Sequence, residues 1–316
     1  IEALQEISHI LFLQGKYEES LNANLEALEI EPNNFWHWFN LGHCYLELHR
    51  FYKSIDAFQN AIALNPDFEY SYLYLGWAYT FLGRYKQAIH SFLNYSRHTF
   101  DKFVYFQIGN LLGDCGYYKQ AVRFYQAVTK ADFSFAPAHI GIGLCFEKLM
   151  EYKKAEEAYK VGTSLDPKRP KYWRFAARNL LKQRKFSKAL SMFTIALTNN
   201  PNDVNLLIDF RNAIEECKRY KDAIEILETI KPLAPENQYI HYYLGELYAM
   251  TKQFDKSMDS FATSFTLDRK LKIAIEAFIE TLSAKRGYKK LIEKLRSYLL
   301  LSTTKLPLDG NTLEIS

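Results

Sequence analysis

Apolar residues recur down this chain at steps of three and four, in helix-length stretches broken by short polar links. That step lines them up on one face of an α-helix. One stretch runs from Phe35 to Leu48 and carries Trp38, Leu41, Gly42 and Tyr45. The next runs from Tyr52 to Leu64 and carries Ser54, Phe58 and Ala61. His49, Arg50 and Phe51 link them, so the pattern predicts two helices, A and B, joined by a tight turn. Gly15, Gly83 and Gly116 stand at equivalent turns, where glycine supplies the left-handed residue that ends a helix. Asn65-Pro66, Asp166-Pro167 and Asn200-Pro201 close helix B, because the residue ahead of a proline avoids the helical region.

The pair then repeats. Gly42, Gly76, Gly109, Gly143 and Gly245 are separated by 34, 33, 34 and 102 residues. Pro32, Pro66, Pro167, Pro201 and Pro235 are separated by 34, 101, 34 and 34. Both markers give a period of 34 with one residue missing between Gly76 and Gly109. A fixed period in this range marks a stacked array of one helical unit. Such an array offers a long surface rather than a catalytic cleft.

The residues at these positions resemble the tetratricopeptide repeat (TPR), whose signature is Trp-x2-Leu-Gly-x2-Tyr, then Ala-x3-Phe, then Pro. Repeats fall at 1–34, 35–68, 69–101, 102–135, 136–169, 170–203, 204–237 and 238–271, with a degenerate ninth at 272–303. Residues 304–316 are left as a C-terminal tail or cap. The resemblance implies an all-α fold, an α-solenoid wound as a right-handed superhelix of about nine helix-turn-helix repeats. Departures occur at Phe210-Arg211 and Phe278-Ile279, where Leu-Gly is expected, and at Phe100, Phe133 and Arg269 in the proline slot. These helix ends are expected to turn differently.

Within helix A, the fourth, seventh, eighth and eleventh positions span an arc of about 100° and face helix B and the next repeat. Trp38, Tyr72, Tyr105 and Trp173 are therefore expected in the core. The second, fifth, ninth, twelfth and thirteenth positions lie on the other side, which lines the concave groove in the TPR family. In repeats two to four that side carries Trp36, Phe39 and His43, then Tyr70 and Trp77, then Phe103, Phe106 and Asn110. The signature face does not need these aromatics, so they are candidates for partner binding, or for packing inside the winding. In repeat six the second, fifth, ninth and thirteenth positions carry Lys171, Arg174, Arg178 and Lys182. Asn212 follows in repeat seven and Tyr242 in repeat eight, where Tyr239, Glu246, Glu276 and Glu280 turn the face acidic. Glu147 and Glu215 are the nearest carboxylates to the basic stripe, and neither is clearly placed to neutralise it. A partner's acidic group is expected there. The carboxylate clamp of some TPR proteins is absent, since repeats one to three offer Gln5, His9, Phe39, His43, Leu73 and Trp77 at its positions. The asparagine ladder of glycosyltransferase TPR arrays is missing too.

Composition narrows the function classes. Apolar residues make up 48% and aromatics 16%, too many for a disordered chain. The net charge of +4 gives no global affinity for polyanions, although residues 147–190 alone hold thirteen Lys or Arg against five Asp or Glu. Nucleic-acid binding is therefore disfavoured. Cys44, Cys115, Cys145 and Cys217 lie far apart with no CxxC, and are read as reduced thiols of a cytoplasmic protein. His43 beside Cys44 is a poor metal pair, because neighbours on a helix diverge by about 100°. The uncharged run Tyr70 to Gly83 is 14 residues, short of the roughly 20 that span a bilayer. No HExxH, GxSxG, P-loop or complete GxGxxG occurs. No catalytic residue, metal or cofactor is expected. The expected function is a non-enzymatic protein-interaction scaffold that holds a partner's peptide segment, acidic with apolar anchors. The alternative is a regulatory or targeting arm of a larger multidomain enzyme or multisubunit complex. The helix already begun at Ile1 suggests a piece of a longer protein.

Overall fold

A computed structural model describes residues 2–97 and 99–304. Among the described residues it is all-α, with eighteen α-helices and no strand. Contacts divide the chain into two units, residues 1–165 and 166–316. The first unit pairs α1 (Glu2–Leu13) with α2 (Tyr17–Ile30), α3 (Phe35–Glu47) with α4 (Phe51–Leu64), and α5 (Glu69–Phe81) with α6 (Tyr85–Tyr95). It continues with α7 (Lys102–Asp114) and α8 (Tyr118–Ala131), then α9 (Ala136–Lys148) and α10 (Tyr152–Leu165). The second unit pairs α11 (Pro170–Lys182) with α12 (Phe186–Asn199), α13 (Val204–Cys217) with α14 (Tyr220–Ile230), α15 (Gln238–Met250) with α16 (Phe254–Leu267), and α17 (Lys272–Ser283) with α18 (Lys289–Thr304). Within each unit the pairs stack as a TPR solenoid, the B helices packing on the next pair and, α14 aside, on their own A helices. The last helix pair, α17 and α18, begins at Lys272. Short 3-10 turns at Lys231–Leu233 and Arg269–Leu271 lead into the last two pairs, the second at the missing proline of Arg269. The expected tail from residue 305 lies outside the described residues.

One interlock recurs inside the pairs. A Cβ on Gly42 would stand 2.7 Å from the Phe58 ring. Gly76 faces Phe92, Gly109 faces Tyr125, Gly143 faces Tyr159 and Gly245 faces Phe261 in the same way. The eighth position of helix A must therefore be small because the twenty-fourth, on helix B, is an aromatic ring. Ser54 and Ser257 close the joint by donating to the carbonyls of Gly42 and Gly245 at 2.9 and 2.8 Å. The first pair swaps the joint for a polar one. Asn24 donates to the Ser8 hydroxyl at 2.5 Å, and Ser20 to the Ser8 carbonyl at 2.8 Å, all three side chains being buried.

Every A–B turn contains a residue with positive φ. Gly15, Gly83, Gly116 and Gly287 share this conformation with His49, Met150, Arg184, Lys218 and Lys252. The half-buried Trp38 and Trp173 do more than fill the core. Their indole N–H groups donate to the Pro32 and Pro167 carbonyls at 2.9 and 2.8 Å. His139 and His241 occupy the same helix position and donate through Nε2 to the carbonyls of Phe133 and Pro235 at 2.9 and 2.8 Å. A ring nitrogen thus satisfies a carbonyl that the end of helix B leaves open. No disulfide forms: Cys44 and Cys145 are buried thiols, and Cys115 and Cys217 are partly exposed.

Candidate functional site

In the first unit the candidate surface begins at the helix-A N-termini. Asn34 caps α3 by accepting from the Trp36 amide at 3.0 Å, and Asp101 caps α7 by accepting from the Phe103 amide at 2.8 Å. Each cap holds a second-position aromatic on the first helical turn. Trp36, Tyr70 and Phe103 there are 39%, 45% and 61% exposed, more than side chains of this size ordinarily are. Phe39 and Phe106 stand half-buried one turn behind them.

Two residues absent from the expected set join this surface. Phe68 and Phe135 occupy the N-cap positions of α5 and α9, where neither can bond the helix amides. The Phe68 ring lies 4.9 Å from Trp36, 5.0 Å from Phe39 and 5.7 Å from Tyr70. Phe135 repeats the arrangement, 5.9 Å from Phe103 and 5.2 Å from Phe106. Tyr70 also meets Tyr95 at 6.0 Å, and the Tyr95 hydroxyl reaches the capping Asp101 at 3.5 Å. Burial and that carboxylate push the Tyr95 hydroxyl up to about 12. The aromatics form one edge along the starts of α3, α5 and α7. A phenylalanine at a position that favours Asn or Asp was the sequence signal for Phe68 and Phe135. At the Phe135 end the Lys102 ammonium sits 5.2 Å from the centre of Phe103 and pairs with Asp132 at 2.7 Å.

The remaining candidates of this unit are tied inward. Trp77 is half-buried with Phe92 edge-on at 5.3 Å. Asn110 accepts from the Tyr125 hydroxyl at 2.8 Å. His43 sits among Phe12, Phe39, Phe58 and Tyr74, with the Tyr74 ring centre 3.8 Å away. Burial holds its imidazole at about 4, so it is neutral at pH 7.

In the second unit the basic stripe is partly neutralised from within. Arg174 Nε donates to Asp209 of α13 at 2.6 Å. Asp209 sits at the sixth position of its helix, outside the face expected to meet the stripe, and so was not anticipated. Lys171, Arg178 and Lys182 are exposed and make no ion pair among the described residues. Asn212 is exposed on α13. Tyr242 departs from the expected surface position. It is buried, and its hydroxyl donates to Glu246 at 2.9 Å and to the Ala274 carbonyl at 3.2 Å. The cause is Arg211, which replaces the usual glycine. Its guanidinium reaches the next pair, donating through Nε to Glu246 at 2.8 Å and meeting Glu215 at 3.0 Å. Tyr242 covers that ion pair. Arg174–Asp209 and Arg211–Glu246 are each separated by 35 residues, one repeat plus one, so the same inter-repeat bridge is built twice.

Among the described residues no group of three or more His, Cys, Asp or Glu could hold a metal ion. No described helix is long and apolar enough to cross a membrane. No curated protein matches the chain in sequence. Sequence models of the tetratricopeptide repeat match residues 9–49, 36–68, 57–90, 104–135 and 180–241. Among solved structures, the C-terminal part of a TPR protein from Cytophaga hutchinsonii aligns over 86% of this chain and 98% of its own, with TM-score 0.56 and 17% identity. A TPR protein from Parabacteroides merdae aligns over 84% and 98%, with TM-score 0.54 and 12% identity. YrrB, described as a TPR protein with an unusual peptide-binding site, aligns over 58% and 95%, with TM-score 0.51 and 19% identity. With the 34-residue period, the glycine–aromatic interlock and these matches, the chain belongs to the tetratricopeptide repeat family.

Proposed function

We propose that this protein is an interaction scaffold that holds a segment of a partner protein through two surfaces. The first is the aromatic edge of Trp36, Tyr70 and Phe103, backed by Phe39, Phe68, Phe106 and Phe135. The second is the set of cations Lys171, Arg178 and Lys182, with Asn212 nearby. The observation that carries the reading is the exposure of three large aromatics at one repeat position, each held by ring contacts on a capped or crowded helix start. Preordered aromatics bury much area at little entropic cost, which suits them as anchors. The unpaired cations favour an acidic stretch in the same partner.

The test is affinity purification followed by mass spectrometry, comparing the native chain with Trp36→Ala/Tyr70→Ala/Phe103→Ala and with Lys171→Glu/Arg178→Glu. Both variants should keep native circular dichroism and lose the partner. Retention of every native partner by both variants would sink the proposal. Arg174 is left untouched, because Arg174→Glu would set a carboxylate against Asp209. The alternative, an arm of a larger enzyme or complex, draws on α1. Its Ile7, Ile10 and Leu13 are 49%, 52% and 71% exposed, an apolar stripe that another protein surface would cover.

A further inference from the structure

Repeat seven breaks the interlock that repeats two to six and repeat eight keep. In six repeats the twenty-fourth position is a ring: Phe58, Phe92, Tyr125, Tyr159, Phe193 and Phe261. Repeat seven has Leu227 there and Arg211 at the eighth position. The Arg211 stem stands over that position, but its guanidinium is drawn outward to Glu246 and Glu215. What remains is a cavity of about 230 Å³ within the second unit. Its apolar walls include Phe210, Ile214, Leu227, Leu247 and Phe278, all buried. Met250 and Lys285 stand at its rim.

The polar wall is already satisfied. Glu246 accepts from Arg211 Nε, from Arg211 Nη2 and from the Tyr242 hydroxyl, so the pair has little to offer a ligand. Lys285 differs. It is exposed, its ammonium has the Met250 sulfur at 4.0 Å, and it makes no ion pair among the described residues. A slot shaped by a missing ring, beside one uncompensated cation, defines its complement.

We infer that this cavity is a subsite for a partner peptide that inserts one phenylalanine-sized side chain and sets a neighbouring carboxylate on Lys285. The ring replaces from outside the aromatic that repeat seven lacks. The site is separate from the aromatic edge of the first unit and from the cations of α11, so it can stand if either of those fails.

The probe is acetyl-Gly-Phe-Asp-Gly-amide, titrated into the full chain carrying ¹³C-methyl methionine and followed by NMR. The chain has four methionines, so the Met250 methyl is separable by substitution. Met250 should shift saturably with this peptide and remain still with the Gly-Ala-Asp-Gly counterpart. The Gly-Phe-Asn-Gly peptide, and Lys285→Glu with the original peptide, should each bind several-fold more weakly. Leu227→Phe sets a ring into the same space, against the Arg211 side chain, and should abolish the shift at some cost in melting temperature. Should Leu227→Phe fail to fold, Ile214→Phe narrows the same space and serves in its place. No Met250 shift at saturating peptide, or an undiminished shift in the folded filled variant, overturns the subsite. Equal binding of the Asp and Asn peptides overturns the carboxylate contact.

Discussion

At the scale of single residues, two histidines make the first unit sensitive to acid. His43 is enclosed by four aromatic rings, and both ring nitrogens of the fully buried His37 lack a partner. Burial pulls both imidazoles below their ordinary value, although Glu31 opposes the shift at His37. The unfolded chain therefore takes up protons first as pH falls. Their contribution to stability is complete above about pH 6.5, declines through the interval down to His43's value of about 4, and is flat below it. At His43 the loss should approach about 3 kcal/mol. Urea melts from pH 7.5 to 4 should show the decline, and His43→Phe should flatten most of it. The ring-to-carbonyl bond gives a second expectation. Trp38→Phe removes the donor to Pro32 and should cost about 1 kcal/mol beyond any packing change. Trp77→Phe, which breaks no hydrogen bond among the described residues, should cost less by the same melts. The signature exposed Trp38 and Trp173 as structural. It left His139 and His241 among scattered histidines, because the shared feature is a ring nitrogen and not a residue type.

At the scale of helices and turns, the period was legible wherever glycine marked it. His49, Met150, Arg184, Lys218 and Lys252 adopt the same left-handed turn without glycine's freedom. Residue type could not announce them; only their spacing from Gly15 and Gly83 could. A side chain in this conformation costs about 1–2 kcal/mol, and glycine returns about half of that through the unfolded chain. Met150, 74% exposed with φ 61°, makes the cleanest test. Met150→Gly should raise stability by about 0.5–1 kcal/mol, read as a higher denaturant midpoint with an unchanged slope. Helix caps carried the opposite lesson. Asn34, Asp101, Asp203 and Asn237 follow the capping preference, and Phe68 and Phe135 break it to serve the aromatic edge. A broken local rule was the readable trace of that surface.

At the scale of the molecule, the all-α solenoid of helix pairs followed from the 34-residue period, but the electrostatics did not. Arg174 looked uncompensated because its partner Asp209 sits one repeat and one residue further on, and the Arg211–Glu246 pair has the same spacing. A pairing that skips 35 residues leaves no local pattern to read. Arg211→Ala should show how much the second unit relies on it. Glu246, 7% exposed, would lose its cation, and the variant should be about 2 kcal/mol less stable, discounted from a fully buried pair for the partly open arginine. Thermal melts at neutral pH check this, and Arg211→Ala/Glu246→Gln should recover part of the loss.

The indole bond to the closing proline has a practical corollary. Of the four tryptophans, Trp36, Trp38 and Trp77 lie in the first unit and Trp173 alone in the second. Trp38 and Trp173 sit in matching surroundings, each donating to the carbonyl of the proline that closes the preceding repeat. The array therefore carries two nearly identical fluorophores, one on each side of its division. Trp36→Phe/Trp77→Phe/Trp173→Phe leaves emission from Trp38 alone, and Trp36→Phe/Trp38→Phe/Trp77→Phe leaves emission from Trp173 alone. Because the two probes begin from equivalent states, any offset between their titration curves reports a difference in how the halves come apart, not in how each indole is solvated.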